Sequence, residues 1–116
     1  MSGSTNPSFM NGIPELLLLR LIHRREMYGY ELVQAVREAS GEAIALGEGS
    51  IYPVLHALER AGCLSSKRRQ VDGRSRLYYR LTGDGKKKLG LVENEWKRIA
   101  RAVTLVLGGR NAAKPT

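Results

Sequence analysis

Cysteine is nearly absent from this sequence. Cys63 stands alone, which rules out an internal disulfide framework and fits a reducing compartment. Its expected role is that of a small apolar residue between a helix and a strand, not of a redox sensor. Long hydrophobic runs are missing too: Leu16 to Leu19 is cut short by Arg20, well below the about 18 apolar residues that a membrane span needs. Residues 1–11 lack the basic and then apolar pattern of a secretory signal, so a cytoplasmic location is expected. His23, His56 and Cys63 show neither the spacing of a zinc site nor a nucleophile with its base. With no Gly-rich phosphate loop or paired-carboxylate motif either, no enzymatic activity, metal or cofactor is expected. Acidic residues are also scarce. The 116 residues hold 11 Asp and Glu against 19 Lys and Arg, a net charge of +8. A field of that sign draws polyanions, and with no membrane anchor in the sequence it points to nucleic acid.

The chain length suits one domain with appendages. Small and polar residues dominate 1–12 and 108–116, which read as flexible tails. Between them, 13–82 reads as a DNA-binding unit and 83–107 as one long helix. From Ile13 to about Arg25, Ile13, Leu16, Leu17, Leu18, Leu19, Leu21 and Ile22 surround most of a helix, with Pro14 suited to its first turn. Such a helix needs cover on several sides, and a second subunit is the expected source, with Leu17 and Leu21 in the contact. Leu32, Val33, Val36 and Ala39 mark a second helix over 30–39, stopped at Ser40-Gly41. A third is expected to open at Ser50 as its cap, with Pro53 in the first turn. Ile51, Leu55 and Leu58 would be its buried side, and Gly62 its end. Three short helices joined by Gly-containing connections are what a helix-turn-helix DNA reader requires.

Residues 64–70 and 76–81 read as strands, the second alternating Leu77, Tyr79 and Leu81 with Arg76, Tyr78 and Arg80. Asp72-Gly73 supplies the positive-φ turn of a two-stranded hairpin. Lys67, Arg68, Arg69, Arg74, Arg76 and Arg80 crowd this ribbon, with Asp72 as its acid. An isolated hairpin is marginal already, and such repulsion makes it worse, so the charge calls for a partner. Thr82 can cap the last helix. Along it Leu89, Val92, Trp96, Ile99, Val103 and Val106 recur in alternating steps of three and four, a heptad seam. At 1.5 Å per residue the helix would be roughly 36 Å long, enough to reach a second copy. The expected fold is therefore mainly α with a small β-hairpin: a winged helix-turn-helix plus a long C-terminal dimerisation helix.

The sequence resembles the PadR-type transcriptional regulators, and among them the short members with a single C-terminal helix. The resemblance rests on Met27-Tyr28-Gly29-Tyr30-Glu31-Leu32, Gly49-Ser50-Ile51-Tyr52-Pro53, Leu55, Leu58-Glu59, Gly62, Asp72-Gly73-Arg74 and Tyr78-Tyr79-Arg80-Leu81-Thr82 with Gly85. It covers Ile13 to Val106. Ile51 stands where the family often has Leu, and Cys63-Leu64 where it often has Leu-Ile. The resemblance implies a homodimeric repressor of a neighbouring gene, often one for detoxification or efflux. It also implies that C-terminal helices pack on the partner's first helix, and that a small aromatic effector is held between subunits against a Trp, here Trp96. A Trp that merely fills the seam is the other reading of that residue.

On this reading Ser50 and Tyr52 fix register on the DNA backbone, while His56 and Arg60 approach base edges or phosphates. Arg74 and Arg76 at the ribbon tip reach a backbone or minor groove, and Lys67, Arg68 and Arg80 neutralise phosphates. About four contacts per subunit, doubled in a dimer, predict a log-log salt slope of roughly −7. The two reading helices of a symmetric dimer call for an inverted-repeat operator in double-stranded DNA. A basic RNA- or ribosome-binding module is the alternative, because Tyr and Arg also stack on unpaired bases.

Overall fold

Capping chemistry and apolar spacing decide where each element starts and stops. The computed structural model describes residues 8–108; of the expected tails, 1–12 and 108–116, residues 8–12 belong instead to the first helix, Gly108 follows the last helix in a turn, and the rest lie outside the described residues. Helix α1 runs Ser8–Arg24. It starts upstream of Ile13, so Pro14 lies in its interior, where it removes one backbone hydrogen bond. Strand β1, Met27–Tyr28, leads directly into α2, Gly29–Ala39. The backbone N–H of Tyr28 donates to the Glu31 carboxylate at 3.2 Å, holding that junction. Helix α3 runs Glu48–Arg60. Its N-cap is the extended Gly47, not Ser50, whose own N–H already bonds the Gly47 carbonyl at 3.0 Å. Pro53 therefore falls in the second turn.

Strands β2, Leu64–Val71, and β3, Arg74–Leu81, form the expected hairpin. Asp72 and Gly73, at φ 53° and 76°, are its two-residue turn. The sheet has a third member that the sequence did not announce: β1 pairs with β3 through Met27 with Tyr79 and Tyr28 with Tyr78, giving the order β1-β3-β2. Two residues are too few to show alternation.

The core joins Leu18, Leu19, Leu21 and Ile22 of α1 to Leu32, Val36, Ile51, Leu55 and Leu58, closed by Met27, Leu64 and Tyr79. Each full burial of such a side chain stabilises the fold by about 1.5–3 kcal/mol. Helix α1 is apolar nearly all round because α2, α3 and β3 all pack against it, as does the last helix, α4, Gly83–Val106. One protomer thus covers much of what was expected to need a second. Leu21 and Leu89, expected at the subunit contact, are buried at 6% and 3% exposure within the protomer, and Leu17 is half-buried. Cys63 is buried at the connection from α3 to β2.

Thr82 caps α4 as expected: its hydroxyl accepts from the N–H of Gly85 at 3.0 Å and donates to the Gly62 carbonyl at 2.6 Å. Along α4, Leu89 and Val92 pack on the core, and Arg20 of α1 bonds Glu93 through Nε at 2.8 Å. Farther on the helix leaves its own core. Trp96 is 40% exposed, Val103 47% and Val106 87%, although Ile99 between them is half-buried.

Candidate nucleic-acid interface

Helix α3 turns Ile51, Leu55 and Leu58 inward. The opposite stripe, at spacings of three and four, is Gly49, Pro53, His56 and Arg60, all exposed. Ser50 and Ala57 flank it and are exposed too. The small residues Gly49, Ser50 and Ala57 on and beside this stripe let the helix backbone come close to another surface, while His56 and Arg60 supply the reach. Charge and type pointed to His56 and Arg60; that Gly49 lies on the same stripe and Ala57 beside it emerges from the helix phase.

Tyr52 is half-buried. A Cβ built on Gly29 would fall on its hydroxyl and, 2.8 Å away, on its Cε1, so the ring lies directly against the start of α2. Only glycine leaves that space. Tyr52 therefore joins α3 to α2, and its ring sits 6.0 Å from that of His56.

Residues directly opposite in an antiparallel pair share a face, so the register sorts the wing's cations. Leu64, Ser66 and Arg68 oppose Leu81, Tyr79 and Leu77 on the inner face, toward α3. Ser66 there donates to Glu59 of α3 at 2.6 Å. Arg68, expected at phosphates, is exposed and bonds Ser75 at 3.4 Å. Burial, then the neighbouring Glu59 and Tyr52, push the Tyr79 phenol up from its ordinary value. The outer face carries Ser65, Lys67, Arg69 and Val71 opposite Arg80, Tyr78, Arg76 and Arg74. Only Arg74 of the two expected tip arginines adjoins the turn. Arg76 is half-buried with its guanidinium 4.4 Å above the ring of Tyr28, and Arg80 donates to Ser65 at 3.1 Å. Arg69 was not among the residues expected to touch DNA, yet it stacks on Tyr78 at 4.0 Å.

A second feature lies between α1 and α4: a cavity of about 280 Å³ lined by Ile13, Leu16, Leu91, Val92 and Trp96, with Glu15, Lys88 and Glu95 at its edge. Lys88 and Glu15 pair across it at 3.9 Å. The hydrogen bond from Arg98 holds the Glu95 carboxyl below its ordinary range. Among the described residues no helix is long and apolar enough to cross a membrane, and no group of three or more His, Cys, Asp or Glu is placed to hold a metal ion.

Comparison with known proteins agrees with this architecture. The chain is 36% identical over 96 residues to the transcriptional regulator Rv3488 of Mycobacterium tuberculosis, covering 80% of this chain and 84% of that one. A PadR family transcription regulator from Clostridium difficile R20291 superposes with a TM-score of 0.72 at 31% identity, over 84% of this chain and 100% of the other. A Streptococcus transcriptional regulator superposes at 0.73 with 32% identity, over 89% and 98%. Residues 18–91, from the middle of α1 into α4, match the transcriptional regulator PadR-like family. The four helices, the winged three-stranded sheet and this match together establish that the chain belongs to the PadR-like family of transcriptional regulators.

Proposed function

We propose that this regulator is a homodimeric repressor that grips an inverted-repeat operator and lets go when a planar aromatic compound enters beside Trp96. The observation that carries the first half is the exposed stripe of α3, where small residues permit groove entry and His56 and Arg60 reach outward. Ser50 lies in the first turn, within reach of a phosphate. Arg68 on the inner side of the wing and Arg74 at its tip meet flanking phosphates. Tyr52 acts from behind, by fixing α3 on Gly29.

Dimerisation is supported by the exposed apolar row on the far part of α4, Trp96, Val103 and Val106, which continues the seam of Val92 and Ile99. Release is supported by the apolar cavity that Trp96 borders. It lies on the helix that sets the distance between the two reading helices, so a ligand that favours one spacing over another changes operator affinity. The charged residues on the outer face of the wing, Lys67, Arg69, Arg76 and Arg80, are not part of the operator grip on this reading, because the sheet separates them from α3.

A mobility-shift titration with duplex DNA from upstream of the gene tests the proposal, with unrelated duplex and single strands as competitors. Preferential binding of the upstream duplex is expected, with protection of two half-sites about 34 Å apart. Planar dyes should quench Trp96 fluorescence and weaken the shift together. Equal affinity for all duplexes would overturn the operator reading, and quenching without loss of the shift would overturn the release mechanism.

A further inference from the structure

The outer face of the wing carries more positive charge than folding explains. Lys67 and Arg69 of β2 share it with Arg74, Arg76 and Arg80 of β3, and Glu26 pairs with Arg69 at 3.2 Å. Two tyrosines organise these cations. Tyr28 and Tyr78 meet edge to face at 5.3 Å, with Arg76 lying over the first ring and Arg69 over the second. Rings covered in this way hold guanidiniums in place and have those faces occupied, so they are poor platforms for unpaired bases. Beside them Lys67, Arg80 and Ser65 border a cavity of about 350 Å³.

Two lengths decide what such a face fits. The row from Arg76, opposite Arg69, to Arg80 spans about 14 Å at 3.4 Å per residue, too long for one small anion and close to four rises of a B-form strand. A linear polyphosphate backbone matches it. The same spacing puts the Lys67–Tyr78 pair about 14 Å, and the Ser65–Arg80 pair about 20 Å, from the Val71–Arg74 pair at the tip. A minor groove is about 7.5 Å deep, so a groove entered by the tip does not reach them. On the proposed reading of α3, the operator duplex lies on the α3 side of the sheet, which the outer face does not share.

We infer that the outer face of the wing is a second backbone-binding surface for duplex DNA, one that holds a segment other than the one under α3. The inference rests on the reading of α3 as the operator-binding helix. It assigns Lys67, Arg69 and Arg80 as phosphate contacts, with Tyr78 and Tyr28 as their supports. A protein built this way bridges two separate duplex segments.

The test uses the full-length protein on beads that carry the upstream operator duplex, followed by a labelled duplex of unrelated sequence. Wild type should capture the second duplex. Lys67→Gln/Arg69→Gln/Arg80→Gln should lose at least about tenfold of that capture and flatten its salt slope by about 2.7, at 0.9 per contact, while operator affinity stays within about twofold. The charge-conserving Arg69→Lys/Arg80→Lys variant should retain capture, which separates lost charge from lost folding. Capture undiminished in the Gln variant overturns the inference, as does a parallel fall in operator affinity. Wild type that binds the operator but never the second duplex overturns this inference alone. Wild type that binds no operator overturns the reading of α3, and this inference with it. Displacement of the second duplex by equimolar inorganic phosphate also overturns it, in favour of a small-anion site.

Discussion

Adding one carbon at Gly29 would place it on the ring of Tyr52, and two effects then compete. Alanine is favoured over glycine in a helix by about 1 kcal/mol, whereas overpacking a filled site costs about 1–3 kcal/mol. The contact is close enough that the second should win, so Gly29→Ala is expected to lower unfolding free energy in a denaturant titration and to weaken operator binding as α3 shifts. A more stable variant would show that the ring has another place to go. Tyr79 offers a second prediction. Burial and then Glu59 raise its pKa above the ordinary 10.0, so the fold favours the neutral phenol. Its stabilising contribution is complete below that ordinary value and disappears as pH climbs through the raised one. Tyr79→Phe should therefore lose less stability than wild type between neutral and strongly alkaline pH. Equal losses in the two proteins would remove Tyr79 from the alkaline transition. The contact between Gly29 and Tyr52 was not legible beforehand, since the two meet only after a turn and two helices have packed.

At the scale of elements, the proposed operator grip combines the wing with α3. Arg68 and Arg74 stand on different faces of the hairpin, Arg68 toward α3 and Arg74 beside the turn. Replacing both with Gln removes four cations from a dimer, and at about 0.9 per contact the log-log salt slope of operator binding should become shallower by about 3.6. A slope unchanged from wild type would take the wing out of the grip. Strands β2 and β3 were readable because Leu77, Tyr79 and Leu81 alternate with charged or polar neighbours and Asp72-Gly73 marks the turn. Strand β1 was not, being two residues long. The start of α3 moved from Ser50 to Glu48 because Gly47 takes the extended cap conformation without a side chain to advertise it.

For the molecule as a whole, the far part of α4 is the feature that a lone protomer leaves uncovered. Val103 and Val106 are exposed at 47% and 87% on the apolar seam. Val103→Glu/Val106→Glu is expected to shift the sedimentation mass from dimer to monomer while the melting of the winged domain changes little. Operator affinity should then fall by well over tenfold, since two linked half-sites become two separate ones. A wild-type protein that sediments as a monomer at micromolar concentration would remove the dimer from the account.

Helix periods, the turn at Asp72-Gly73, the cap at Thr82, the heptad row and the surplus of positive charge are properties of neighbours along the chain. The amino-acid sequence alone determined them, and with them the family. Which face of the sheet a cation occupies, how much of α1 one protomer covers and what Tyr52 leans on were decided only by packing. Arg69 and Glu26 are 43 positions apart, and Tyr28 comes to the edge of Tyr78 through a two-residue strand. Contacts of that kind depend on how separate elements close on one another, and local periodicity carries no record of it.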